Sequence, residues 1–335
     1  MTTRFNNNFD ILRLLLSLVV FFYHAEIILG INLPIYFSGE FAVKCFFVVS
    51  GYLIVKSYIS SKSLKAYSIS RFFRVYPLYL LLIILTSCLS AVYIYLINSS
   101  VDWLTVAKYF IFNSVFANFL QPTIPYVFDG NENYPSIING SLWTLKVEVA
   151  FYILVPLVYH LGSNKNHWLS ITAILFLFSS VLGFFISVYV EALGLPAQLN
   201  NQIPTLLIYF MGGAFFNFIR LEGLIFFIVF LISCFSILFL DVFEILESVF
   251  ISFFVMYLAL GSPVKIAIPS SVGDLSFFIY LFHFPILQVM SFYSYDYGVY
   301  NALGFSLLIC TAFAWLSWHY LESPLLNYVK LKVKQ

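Results

Sequence analysis

Five ionisable side chains stand inside long apolar runs of this sequence: Arg13, His24, Lys44, Glu148 and His283. Placing such a group at the centre of a lipid bilayer costs about 3 kcal/mol on insertion scales, so it is expected to face a polar cavity or a partner. Arg13 and His24 are the most informative pair. They are eleven residues apart, and at about 100° per residue they return to within about 20° of one helical face, with a rise of about 16 Å. A guanidinium suits phosphate recognition, and an imidazole that titrates near neutrality suits general-base removal of a hydroxyl proton. One helical edge would then join an anion-binding end to a deeper base. The plainer alternative pairs Asp10 with Arg13 at i,i+3 and lets His24 donate to a backbone carbonyl.

The other charged positions extend the pattern. Glu148 lies about two turns into the helix expected to begin near Ser141, at the depth expected of His24. A carboxylate beside an imidazole fixes its tautomer and holds the imidazolium; a Glu148–Lys44 ion pair that merely ties helices together is the competing reading. His283 precedes Phe284-Pro285 in mid-span and forms either a second cavity wall or an interhelical hydrogen bond. Arg71 and Arg74 stand one turn apart just before the third span, a spacing that suits a polyphosphate, although basic residues flank spans in any case. Gly51, after Ser50, allows close helix approach.

These residues need a scaffold, and composition defines it. Of 335 residues, 62% are hydrophobic and 9% charged, with a net charge of +1. Too little charge is present to solvate a soluble globule, which carries roughly 25%, and too much apolar content for disorder. The near-neutral balance argues against a nucleic-acid partner. Cys45, Cys88, Cys234 and Cys310 sit in apolar runs and read as small buried residues, with neither disulfide nor metal expected. His160, His167 and His319 form no metal-ligand spacing, and no nucleophile elbow or phosphate-binding loop is present.

The expected fold is all-α: a polytopic membrane bundle of about ten transmembrane helices, forming one domain over residues 1–335. The apolar windows are 9–29, 40–57, 77–97, 141–161, 168–190, 202–219, 223–240, 243–260, 274–293 and 299–321. If ten spans alternate, Arg4, Lys56, Lys62, Lys65, Arg71, Arg74, Lys165, Arg220, Lys265, Lys330, Lys332 and Lys334 share one side. The other side has Lys108 and the acidic Glu26, Asp102, Asp129, Glu132, Glu191, Asp241, Glu244 and Asp296. Positive charge marks the cytoplasm, which puts both termini there. The first span, with Arg13 and His24 and no small-residue cleavage site, is expected to be retained. Residues 98–140 form an extracytoplasmic connection whose first half (Trp103, Val106, Tyr109, Phe110, Phe112, Phe116) suits an interfacial or re-entrant helix. Its second half, with Pro122, Pro125, Gly130 and Pro135, is loop chemistry. Trp103, Tyr109, Tyr126 and Tyr134 there could stack on sugar faces, though interface aromatics are ordinary in membrane proteins.

Taken together, the motifs resemble those of the integral-membrane acyltransferase family 3, the group that includes bacterial polysaccharide O-acetyltransferases. The resemblance rests on Arg13-x10-His24, Phe46-Phe47-Val48-Val49-Ser50-Gly51-Tyr52-Leu53-Ile54, and Arg71-x-x-Arg74 with Tyr76-Pro77. It continues through Trp143-x4-Glu148-x2-Phe151-Tyr152 with Pro156, Gly273-Asp274-Leu275-Ser276, His283-Phe284-Pro285 and Glu322-Ser323-Pro324. It implies that Arg13, Arg71 and Arg74 hold a cytoplasmic acyl-CoA, with acetyl-CoA as donor substrate and no permanently bound cofactor. It further implies that His24, with Glu148, is catalytic, and that Ser50, Trp143, His283 and Lys44 line the cavity. Lys44 departs from the family by standing where many members have an acidic residue. No appended extracytoplasmic esterase-like domain is expected, so acceptor handling would fall to the membrane domain. The acceptor implied is a glycan or lipid-linked glycan, reached from the inner membrane. A transporter or flippase for a glycolipid or small solute is the alternative, disfavoured by the Arg71/Arg74 pair and by the lack of paired broken helices.

Overall fold

Each apolar window is occupied by a helix. The structure is a computed structural model that describes residues 7–34, 36–131, 136–195, 202–240 and 243–334. Its α-helices are α1 (Phe9–Leu29), α2 (Gly39–Ser60), α3 (Leu64–Asn98), α4 (Trp103–Ser114), α5 (Trp143–Tyr159) and α6 (Lys165–Ala192). These are followed by α7 (Ile203–Phe215), α8 (Gly223–Phe239), α9 (Glu244–Met256), α10 (Ser276–Tyr297), α11 (Val299–Ser317) and α12 (Ser323–Lys334). π-helical turns extend α9 through Tyr257–Gly261 and join α11 to α12 through Trp318–Glu322. Among the described residues there is no strand, only an isolated bridge between Thr123 and Ile137.

Among the described residues, six helical stretches are long and apolar enough to cross a bilayer: Phe9–Leu29, Gly39–Ser60, Leu64–Asn98, Lys165–Ala192, Glu244–Gly261 and Val299–Lys332. The apolar Ile203–Phe215, Gly223–Phe239 and Ser276–Phe292 are shorter. Large apolar side chains stay exposed along α6 (Ile174, Leu177, Phe178, Val181) and α8 (Leu224, Ile225, Ile228, Leu231). Helices suit this setting because every mid-helix backbone group is satisfied within the segment.

The chain packs as two units. One comprises the residues up to Arg13, Glu40–Tyr67 and Val147–Ala267; the other comprises Leu14–Gly39, Ser68–Lys146 and the chain from Ile268 onward.

In the first unit α2 and α7 meet backbone to backbone. A Cβ on Gly51 would overlap the Phe210 carbonyl, and one on Gly213 would overlap the Val48 carbonyl. Small residues permit this approach where lipid leaves no hydrophobic drive between helices. Phe151 of α5 packs its ring 4.5 Å from Phe210 and 5.6 Å from Phe47. Asn8, just before α1, ties that helix to the end of α9. Its Nδ2 donates to the carbonyls of Leu258 and Val264, and its Oδ1 accepts from Ile266 N–H, each at 2.9 Å. The Leu258 carbonyl lies in the π-helical turn, at the end where a helix leaves acceptors without intrahelical donors.

In the second unit α3 is the long member. At 1.5 Å per residue it spans about 52 Å, well beyond a hydrocarbon core of about 30 Å. This corrects the sequence reading in one respect: Arg71 and Arg74 do not precede the third helix but lie within it, and Pro77 does not start it. Aromatic rings pack on the helix around the proline. Phe116 packs on Tyr76 at 6.2 Å and on Tyr79 at 4.4 Å, and Phe72 stacks on Tyr76 at 4.8 Å. The helix anticipated in 98–140 is α4, capped by Asp102, whose side chain accepts from Leu104 and Thr105 N–H. The two helices α3 and α4 join the following loop in a core of Ala91, Ile94, Val106, Tyr109, Ile124, Val127 and Ile138. Cys45 and Cys310 are buried as expected, whereas Cys88 is exposed on the outward face of α3.

Candidate active site

The site is built around α10. Pro285 has no N–H, so the carbonyl four residues earlier, that of Leu281, loses its helical donor. The Asn139 side-chain amide supplies the missing donor at 2.8 Å. Asn139 Oδ1 in turn accepts from Ser141 N–H at 3.0 Å and from its hydroxyl at 2.7 Å. Gly140 lets this loop press close, because a Cβ there would strike the Phe284 ring. The proline that loosens α10 is thereby compensated by a polar loop, and His283, two residues earlier, is held in a defined frame.

His283 is fully buried. Its Nδ1 lies 2.9 Å from the Ile279 carbonyl, and its Nε2 lies 2.9 Å from Nδ1 of His24. Chemistry assigns the protons. A carbonyl oxygen can only accept, so in the neutral ring His283 Nδ1 carries hydrogen and Nε2 presents a lone pair. His24 Nδ1 must then donate, which leaves the lone pair of neutral His24 on Nε2. The two rings stack at 5.0 Å, and Phe284 meets His24 edge-on at 5.1 Å. A base oriented by a second group through its far ring nitrogen has the logic of a catalytic triad, with imidazole in the orienting place.

Arg74 and Asp274 form a second polar centre in the same unit. Arg74 Nη2 donates to Asp274 Oδ2 at 2.6 Å, and its guanidinium carbon lies 5.8 Å from the centre of the Phe277 ring. Asp274 Oδ1 accepts from the Ser276 N–H and hydroxyl, closing the first turn of α10. Arg71, one turn before Arg74 on α3, places Nη2 3.4 Å from Ser70 Oγ. The Asp274 carboxylate is a participant that sequence spacing did not single out, although it lies within the Gly273-Asp274-Leu275-Ser276 motif.

Of the remaining expected residues, Arg13, Glu148, Lys44 and Ser50 belong to the other unit. Arg13, on α1 with His24, pairs with Asp10, the i,i+3 arrangement weighed as its plainer reading. Glu148 Oε1 accepts from the Tyr152 hydroxyl at 2.7 Å. Lys44 takes Glu247 as its partner, at 2.9 and 3.0 Å to the two carboxylate oxygens, with Glu40 at 3.1 Å. Tyr209 donates to Glu247 Oε2 at 2.8 Å. Glu247 was missed as a participant because nothing local marks it. Ser50 on α2 is half-buried, and Trp143, half-buried in the second unit, opens α5.

A helical chain with segments long and apolar enough to cross a membrane and a bonded histidine pair fits the class that the motifs suggested. The chain belongs to the acyltransferase family 3, matching its acyltransferase domain over residues 6–321. It is similar to nodulation protein 10 of Rhizobium leguminosarum bv. viciae, with 31% identity over 45% of this chain and 44% of that protein. It is also similar to an O-acetyl transferase of Shigella phage Sf6, with 32% identity over 48% of each chain. The matched stretch thus spans somewhat less than half the length of these relatives. No solved structure matches the chain.

Proposed function

We propose that the protein is an acyl-CoA-dependent O-acyltransferase of the cytoplasmic membrane that acetylates a sugar hydroxyl of a bacterial surface polysaccharide such as O-antigen or capsule. The observation that carries this reading is the hydrogen-bonded His24–His283 pair, whose proton order leaves a basic nitrogen on His24 within an acyltransferase domain. The phage relative's name supports an acetyl group and an oxygen acceptor.

In the reaction, the acceptor hydroxyl oxygen attacks the thioester carbonyl carbon while His24 Nε2 takes its proton. The tetrahedral intermediate collapses with cleavage of the carbon–sulfur bond, and His24 returns the proton to the departing CoA sulfur. The imidazolium that exists between these steps donates through Nδ1 to His283 Nε2. General-base help of this kind contributes typically about 10²–10⁴ in rate. A route in which His24 Nε2 is itself acylated first uses the same lone pair. Arg71 and Arg74, in the same unit as the histidine pair, would hold the phosphates of the donor, and Trp143 of that unit would line the cavity.

Ten spans with both termini in the cytoplasm are part of this reading. Support comes from the first unit, where Asn8 bonds to the loop that carries Lys265. Lys56, Lys165 and Arg220 meet around one cavity. Basic residues gathered at one end mark the cytoplasmic side.

The test compares surface glycans from cells with and without the gene by mass spectrometry and NMR, with membranes supplied with acetyl-labelled acetyl-CoA. Gene-dependent transfer of label to an O-acetyl group is expected. Unchanged glycans together with no labelled product would reject the reading.

A further inference from the structure

We propose that a cavity of about 630 Å³ in the first unit, bordered by the end of α2 and the starts of α6 and α8, is a binding site for an organic phosphate, distinct from Arg13, Arg71 and Arg74. Its volume lies within the range of ligand pockets. Three cations border it: Lys56 on the last turns of α2, Lys165 at the first position of α6, and Arg220 in the turn between α7 and α8. Glu222 is the one acidic residue in the lining. Lys56 is directed by the Tyr52 hydroxyl, 3.2 Å from its Nζ. Lys165 and Arg220 are exposed, and neither has a hydrogen-bond or ion-pair partner among the described residues.

The backbone adds to this charge. The 17-residue α8 begins at Gly223, and Glu222 at its N-cap makes no side-chain capping bond. The first N–H groups of that helix are therefore available, with the positive end of the helix dipole behind them. Gly223 has φ +65°, and a Cβ there would meet nothing within 4 Å, so a ligand can approach the backbone. A helix start, flexible ammonium groups and a guanidinium are the standard partners of phosphate. Tyr52, Phe216 and Phe226 add an aromatic wall suited to an apolar or heterocyclic body attached to that phosphate.

Two sources share this chemistry: the phosphorylated adenosine end of CoA and the headgroup of an anionic phospholipid. The first rests on the CoA-donor reading above; the second does not. The experiment uses the full chain in phosphatidylcholine nanodiscs, titrated with CoA and with dephospho-CoA. A parallel arm uses nanodiscs containing phosphatidylglycerol, with retained lipid counted by native mass spectrometry. The variant is Lys165→Gln with Arg220→Gln, two exposed positions, and an unchanged unfolding midpoint verifies its fold. Loss of about tenfold or more in CoA affinity, smaller for dephospho-CoA, supports a nucleotide site. Unchanged CoA binding with loss of retained phosphatidylglycerol supports a headgroup site. No change in either arm overturns the proposal. A wild-type protein that binds no CoA would count against the donor reading, while the lipid arm would still decide the cavity.

Discussion

Arg74 Nη2 lies 2.6 Å from Asp274 Oδ2, joining α3 to the start of α10 across two hundred positions of sequence. The side chains are only 19% and 9% exposed. Removing one partner of a buried pair costs about 3–5 kcal/mol. Asp274→Ala also removes the acceptor for Ser276 and should lower the thermal unfolding midpoint of the purified protein strongly. Asp274→Asn, which can still accept from Ser276, should lower it less. An unchanged midpoint in Asp274→Ala would show that the pair has no structural role.

His283 is assigned as a positioning residue, because it reaches the chemistry only through the ring of His24. His283→Leu removes the acceptor of the His24 N–H and should reduce kcat by about 10²–10⁴, with KM for the acyl donor little changed. His283→Gln offers a carboxamide oxygen to the same N–H and should recover part of the rate. Equal loss in both variants, with KM raised in parallel, would point to a merely structural contribution.

The Lys44–Glu247 pair lends itself to a double-mutant cycle. Lys44→Met leaves Glu247 with the Tyr209 hydroxyl as a remaining partner and should destabilise by about 3–5 kcal/mol. Lys44→Met with Glu247→Leu should recover much of the lost unfolding midpoint. Additive losses would mean that the two charges do not interact.

How much of this was visible beforehand follows the range of the interactions. Helices were readable because burial in lipid demands long apolar runs, and α1, α2 and α10 begin within two residues of their expected starts. The start of α3 was not readable, since proline logic is local and the rings that pack around Pro77 include Phe116, from just beyond the end of α4. The bond between His24 and His283 joins positions 259 residues apart; sequence spacing offered His283 as a cavity residue and Glu148 as the orienting partner. Lys44 shows the same limit, because Glu247 is 203 residues distant. Spacing within one helix can be read from sequence, whereas a partner on another helix depends on packing.

Asp102 provides a pH-dependent prediction. The Thr105 side chain, then its backbone N–H, hold this carboxyl below its usual range. A depressed folded-state pKa means that its stabilisation of α4 is present above the unfolded value of about 3.9 and fades as pH falls through the folded value. Hydrogen exchange at the Leu104 and Thr105 amides should accelerate, relative to their intrinsic rates, across that acidic window. Asp102→Asn keeps a capping oxygen and should remove the pH dependence.

The central claim is that His24 supplies the base for acyl transfer, and His24→Ala tests it most directly. Wild-type and variant chains are expressed to equal membrane levels in cells lacking the gene, and O-acetyl groups on the surface glycan are counted by NMR. The account predicts that the variant restores none of the O-acetyl signal that the wild type restores. Restoration to the wild-type level by His24→Ala would contradict it.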